Sequence, residues 1–243
     1  MRIDVWSDIA CPWCYVGKRH LEAALEQFSA AQPDAEVEVT FRSFELDPQA
    51  PREREGDYVQ LLASKYRAGE DKAQQMIDTM TMTGFEAGLE LRFDKVRPGS
   101  TFDAHRLLHL GRARGLGAEV KERLMRAYLT EGVLMSDLDE LRRLGVEAGL
   151  DDDEVSAVLA ADAYAEDVRT EEETAYELGC SGVPFFVVDR AYAVAGAQPA
   201  DRLLEVLRTA YAEAQPTQPT QAFQPATADH EHGADCADGS CAI

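Results

Sequence analysis

Two cysteines, Cys11 and Cys14, with Pro12 and Trp13 between them, are the residues of this chain best suited to chemistry. A thiolate is the nucleophile of thiol–disulfide exchange, and a second thiol within reach can close back on it and release what it has captured. The flanking residues place the pair. Ahead of it Ile3 and Val5 alternate with polar neighbours as in a strand; behind it Leu21, Leu25 and Phe28 recur at i, i+4 and i+7 as in an amphipathic helix. The pair thus falls at a strand-to-helix turn, with Cys11 near the N-cap and Cys14 inside the first turn. Pro12 suits the first helical position, where a missing N–H costs nothing. Unpaired N–H groups and the positive end of the helix dipole favour a thiolate at Cys11. A single Cys-x-x-Cys also fits half of a zinc site or an inert pair of thiols. The lone copy, its Pro-Trp centre and its turn context favour redox chemistry.

The elements that must hold this turn read in order along the chain. Val37 to Phe44 alternates like a half-buried strand, so the opening is β-α-β, with a parallel strand pair expected from the crossover. Asp47-Pro48 and Pro51 end that strand in a charged loop. From Tyr58 to about Leu178 the period is helical. Leu61, Leu62 and Tyr66 mark one helix, Met76, Met80 and Phe85 a second, and Phe102 to Leu108 a third behind Thr101 as N-cap. Further helices are expected over about 118–131, 137–148, 152–160 and 165–178. The run Met76, Met80, Met82 reads as core filling rather than a soft metal site. After Gly179 to Pro184, the apolar run Phe185 to Val188 and the segment Ala191 to Val194 form an expected β-hairpin. A last amphipathic helix carries Leu203, Leu204, Leu207 and Tyr211. The fold class is α/β: β-α-β, a large all-helical insertion, then β-β-α. The corresponding parts are 1–50, 51–178 and 179–213, followed by a tail over 214–243.

Bulk composition narrows the partners. The 243 residues are 45% hydrophobic, enough for an ample core. With Lys+Arg 24 against Asp+Glu 45 the net charge is −21, which makes nucleic acid and anionic membrane poor partners and keeps the protein in solution. The chain runs from Met1 straight into the first strand with no basic and apolar leader, and no apolar run approaches the roughly 20 residues that span a bilayer. A cytoplasmic location is the expectation, although a mature chain with its signal removed reads the same. Five cysteines in three places do not form the framework of a small secreted domain.

Several separated motifs together resemble one family. Cys11-Pro12-Trp13-Cys14 after the first strand, Ser181-Gly182-Val183-Pro184 before the hairpin and a helical insertion between them resemble the DsbA-like branch of the thioredoxin superfamily. More narrowly, Phe41 to Pro48, Ala104-His105-Arg106-Leu107 and Gly196-Ala197-Gln198 resemble its FrnE-like cytosolic group, over about residues 2–212. The resemblance implies a thioredoxin-like fold and a thiol–disulfide oxidoreductase or disulfide isomerase acting on protein disulfides, with no cofactor. Cys11 would be the attacking and more exposed sulfur, Cys14 would resolve the mixed disulfide, and Pro12 and Trp13 would set how far the dithiol is stabilised. Val183–Pro184 would be a cis peptide facing the dithiol, with the Val183 backbone offering hydrogen bonds to a substrate chain. Related enzymes of the fold use glutathione, typically with serine where Cys11 stands, so a small thiol such as glutathione in the same cleft is the second reading. A non-enzymatic metal-binding or chaperone-like holder that uses the cysteines as ligands is a third.

Some residues carry weaker signals. By itself a helical histidine such as His105 reads as packing; the resemblance places it, with Arg106, in the substrate cleft. His20 reads as an exposed residue of the first helix, and Cys180 as a small buried hydrophobe. Past Glu213 the composition turns to Gln, Pro, Thr and Ala, as in a linker, and ends in His230, His232, Cys236 and Cys241. Cys236 and Cys241 could form a second redox pair that exchanges with the first. With the two histidines they are also an irregular set of metal ligands.

Overall fold

The computed structural model describes residues 1–214, and the tail readings at His230, His232, Cys236 and Cys241 lie outside those residues. Strand β1 (Arg2–Ser7) leads through a short turn into α1 (Pro12–Ala31), and β2 (Glu38–Ser43) follows. Helices α2 (Tyr58–Tyr66), α3 (Glu70–Glu86), α4 (Phe102–Ala113), α5 (Gly117–Arg126), α6 (Leu138–Glu147), α7 (Asp152–Ala160) and α8 (Ala165–Glu177) make up the insertion. The chain then returns through β3 (Phe185–Val188), β4 (Tyr192–Ala195) and α9 (Ala200–Ala214). The sheet order is β2-β1-β3-β4, with β1 parallel to β2 and antiparallel to β3. This is the thioredoxin-like order, opened by a helical insertion between β2 and β3.

β1 is central because both of its edges are paired and both of its faces are covered. Ile3 and Val5 pack with Leu21 and Phe28 of α1 and Leu203 and Leu207 of α9. Trp6 points to the opposite face, against Phe44, Ala175 and Phe185, and its indole N–H donates to the Glu171 carbonyl of α8 at 2.8 Å. The β3–β4 turn uses two successive left-handed residues, Asp189 (φ 48°) and Arg190 (φ 58°). That twist matches the strands it joins.

The largest apolar cluster explains how the insertion meets the dithiol turn. Ile9, Cys11, Cys14, Tyr15 and Val16 share one core with Ile77, Met80, Leu107, Leu124 and Tyr128 of the helical block. α4 runs through its middle, with every residue from Ala104 to Gly111 buried. Two expectations on helix faces change. Met82 and Phe85 are exposed, at 61% and 75%, because α3 turns only its Ala73, Ile77, Met80 and Gly84 stripe inward. The helix expected over 118–131 closes at Arg126 into a π-helical turn, Ala127–Glu131, which ends at Gly132 with φ 79°. A Cβ at Gly132 would lie 2.5 Å from the Lys95 carbonyl oxygen, so glycine is required there by space as well as by φ.

Candidate active site

The dithiol turn is built from the end of β1 outward. Cys11 is the N-cap of α1, in extended conformation (φ −93°, ψ 110°), and Pro12 opens the helix. The Cys14 and Tyr15 N–H groups both donate to the Cys11 carbonyl, at 3.0 and 3.3 Å, while the Cys11 side chain makes no capping bond. Its sulfur is therefore free to turn outward from the positive end of a 20-residue helix. Across from it the Val183–Pro184 peptide is cis. The Cys11 thiol donates to the Val183 carbonyl at 3.8 Å. Gly17 makes this approach feasible, since a Cβ there would sit 2.8 Å from the Pro184 Cγ, a ring atom with little room to yield.

Cys11 and Cys14 differ in what they face rather than in exposure, which is 4% and 2%. Cys11, with Pro12, Trp13 and Val183, lines a cavity of about 650 Å³ whose far wall is apolar: Tyr58, Leu61, Leu62, Met80, Phe93 and Tyr128 of the insertion. Cys14 lies behind, outside that lining. Burial pushes its thiol well above the usual range, and the adjacent Cys11 pushes it the same way; the Lys121 charge and the Asp8 backbone N–H oppose them. Cys14 at rest is therefore a thiol.

Beneath the turn lies a buried polar group that sequence reasoning left unassigned. Asp8 accepts from the Ala10 N–H (3.2 Å), the Leu46 N–H (2.7 Å) and the Thr101 hydroxyl (2.9 Å), and it meets His105 Nε2 at 3.3 Å. Burial raises its carboxyl, but His105 and these donors outweigh that and hold it below the usual carboxylate value. Thr101 stands at the α4 N-cap as expected, yet its hydroxyl serves Asp8 instead of capping the helix. From α5, Lys121 is buried at 0% exposure and donates to the Ser7 carbonyl at 3.0 Å. Its neighbour Glu122 clasps α1 through the Tyr15 hydroxyl (2.6 Å), Lys18 (2.6 Å) and Arg19.

The residues singled out by sequence separate into three groups. Cys11, Cys14, Pro12, Trp13, Val183 and Pro184 come together at the turn and its facing loop, with Pro184 buried against Gly17 rather than lining the cavity. The placement of His105 in the cleft is corrected: its ring is fully buried, outside the cavity lining, against Asp8. Burial lowers its basicity, so the group that meets Asp8 is a neutral imidazole. Arg106 is likewise a structural clamp. It donates to Asp103 (2.8 Å) and to the carbonyls of Ala163 (2.8 Å), Val158 and Ala161. His20 is half-buried and meets the Gln198 carbonyl through Nδ1 at 2.9 Å, tying α1 to the entry of α9 instead of standing on a free polar face. Cys180 is buried away from the dithiol among Trp6, Phe44 and Phe185, and its thiol donates to the Gly182 carbonyl at 3.4 Å. Among the described residues no group of three or more His, Cys, Asp or Glu side chains converges as a metal site.

The chain is similar to known proteins in sequence and fold. The DSBA-like thioredoxin domain model matches residues 2–208. A crystal structure of a probable DsbA oxidoreductase from Streptomyces coelicolor is 43% identical, superposes with a TM-score of 0.83, and is matched over 91% of this chain and 94% of that one. The uncharacterized protein YwbO of Bacillus subtilis is 28% identical over 190 residues, which cover 77% of this chain and 86% of that protein. A cytosolic disulfide reductase, DsbM, of Pseudomonas aeruginosa, solved with GSH, shares the fold at 19% identity and a TM-score of 0.59, over 87% of this chain and 100% of that one. The dithiol turn, the facing Val183–Pro184 loop and the intervening helical block thus occur in the setting of a known group of domains, and the chain belongs to the DSBA-like thioredoxin domain family.

Proposed function

We propose that this protein is a thiol–disulfide oxidoreductase or disulfide isomerase that acts on protein disulfides through Cys11 and Cys14. The observation that carries this reading is the unequal placement of the two sulfurs: Cys11 lines an apolar cavity opposite the Val183 carbonyl, and Cys14 is held behind it as a thiol. In the reducing direction the Cys11 thiolate attacks a substrate disulfide, forms a mixed disulfide and expels one substrate thiolate. Cys14 then attacks Cys11, closing the Cys11–Cys14 disulfide and releasing the second substrate thiol. Two electrons pass from the dithiol to the substrate, and the reverse sequence oxidises a substrate dithiol. Net direction follows the relative reduction potentials, which Pro12 and Trp13 help to set from within the turn.

The cavity wall of Tyr58, Leu61, Leu62 and Phe93 suits an apolar stretch of polypeptide beside the scissile disulfide. Glutathione is the second reading for the thiol partner, because a protein of this fold was solved with it. No helix among the described residues is long and apolar enough to cross a membrane. Insulin reduction and refolding of a scrambled disulfide substrate test the assignment. Cys11→Ser is expected to bring both to the uncatalysed background, and Cys14→Ser to accumulate the mixed disulfide on Cys11. Full activity of Cys11→Ser would overturn it.

A further inference from the structure

Lys121 has no part in the exchange as described so far, and its position is costly. An ammonium taken out of water without a paired carboxylate is among the most unfavourable things a core can hold, and an apolar side chain of similar length would pack there at lower cost. The hydrogen bond its Nζ makes among the described residues goes to the Ser7 carbonyl, at 3.0 Å. Ser7 C=O and Asp8 N–H belong to one peptide group. The carbonyl end carries Lys121, and the N–H end favours the ionised form of Cys14. A cation on the carbonyl polarises the same peptide whose N–H favours the Cys14 anion.

The charges that bear most on Lys121 come from the dithiol turn and α1. Asp8 comes from the β1–α1 turn, Cys11, Cys14 and Lys18 from α1, and the Lys121 charge in turn reaches His105 of α4. His105 is buried and lowered in basicity, and Asp8 is already held by Leu46, Thr101 and His105. Cys11 and Cys14 are the groups of this set whose charge changes during exchange; Cys11 stands at the N-terminus of α1, and Cys14 is the foremost of the charges that raise Lys121.

On the reading of Cys11 and Cys14 given above, we propose that Lys121 is the positioning residue of the resolving step: its ammonium holds the Ser7–Asp8 peptide and supplies the positive charge that Cys14 needs while it attacks the mixed disulfide. In that step the Cys14 sulfur bonds to Cys11, the bond from Cys11 to the substrate sulfur breaks, and the proton lost by Cys14 ends on the departing substrate thiol. No external oxidant or reductant takes part. Attack by Cys11 on the substrate, out in the cavity, draws on the α1 N-terminus and depends on Lys121 far less. Burial brings Lys121 down to about 8, so near neutral pH it still carries the required charge.

The test uses the full reduced chain mixed with excess glutathione disulfide as the probe, with acid quenching and mass analysis of the Cys11 adduct over time. Lys121→Met is expected to slow decay of the adduct about ten-fold or more, while adduct formation changes less than about three-fold. Lys121→Gln, which keeps a donor for Ser7 but no charge, is expected to behave as Lys121→Met does. Equal slowing of both phases, unchanged decay, or wild-type decay in Lys121→Gln would overturn the proposal. Should neither variant fold, the pH dependence of adduct decay in the unaltered chain tests the same charge: decay should stop rising with pH once Lys121 loses its proton near pH 8, and decay that keeps rising well beyond that pH would overturn the proposal. If no adduct forms on Cys11 in the unaltered chain, it is the oxidoreductase reading that fails, not the role of Lys121.

Discussion

The thioredoxin-like part and the helical insertion contribute different kinds of chemistry to one site. The first brings the sulfurs, held by the strand-to-helix turn and faced by the Val183–Pro184 loop. The second brings Lys121 and the apolar wall of the cavity, together with Thr101 and His105 against Asp8. The turn is local, since Cys11 and Cys14 are placed by backbone bonds within a single helical turn. The polar support is largely non-local, with Lys121 reaching a carbonyl 114 residues away. The Cys11 sulfur is thus positioned by a handful of adjacent residues, whereas its electrostatic setting needs a second layer of structure.

Asp8 is where the two parts are joined, so removing it is expected to give the largest effect. Asp8→Ala leaves the Leu46 N–H, the buried Thr101 hydroxyl and buried His105 without their acceptor. A loss of about 3–5 kcal/mol is expected, as for other broken buried charge networks, measured as a shift in the denaturant midpoint. Cys11→Ser, by contrast, should leave the midpoint almost unmoved. Equal stability of Asp8→Ala and the unaltered chain would show that the insertion docks on the turn without help from Asp8.

Gly17 sharpens the same comparison from the side of the turn. Gly17→Ala gains helix propensity of up to about 1 kcal/mol, but its Cβ would meet Pro184 at 2.8 Å. Either α1 or the facing loop must move, and a net loss of about 1–3 kcal/mol is expected. Because the contact sets the spacing between Cys11 and Val183, insulin reduction should fall more than the stability change alone accounts for. A variant with wild-type turnover and a raised midpoint would show that this spacing is not demanding.

What was legible in the sequence follows the same division. The dithiol turn, the helix behind it and the hairpin beyond Pro184 are marked by local signals: a period of two, a proline at the first helical position, an apolar run. Lys121 carries a signal that is easily passed over. It lies at i relative to Leu124, Met125 and Tyr128 at i+3, i+4 and i+7, so the helical period sets a lysine on the apolar face of α5. A charged residue is ordinarily read as solvent-facing, and its partner at Ser7 cannot be inferred from spacing. His105 failed as a cleft residue for a related reason: α4 is buried on every side over Ala104 to Gly111, so periodicity does not say which face meets the cavity. Met82 and Phe85 err in the opposite sense, as large apolar side chains left exposed on α3.

The smallest expected effect separates two adjacent residues of α5. Glu122 is partly exposed and is held down to about 2, because Arg19, Lys18 and the Tyr15 hydroxyl outweigh the cost of its burial. Its folded value lies below the unfolded one of 4.5, so between pH 4.5 and 2 the unfolded chain binds more protons and stability falls with the pH. With screening at a carboxylate near a third exposed, its share is about 1 kcal/mol, present above pH 4.5 and lost on acidification. Lys121 acts at the other end of the scale. Its folded value of about 8 lies below the unfolded 10.5, and over that interval the unfolded chain again holds more protons, so stability rises as the pH climbs from 8 to 10.5. Urea midpoints measured across pH should therefore show Glu122→Gln with a shallower acid limb and an unchanged alkaline one, and Lys121→Met with the reverse. If Glu122→Gln also slowed decay of the Cys11 adduct, the clasp on α1 and the charge beneath the dithiol would act as one unit. If it left that decay alone, α5 fastens the two parts with Glu122 and tunes the sulfur with Lys121.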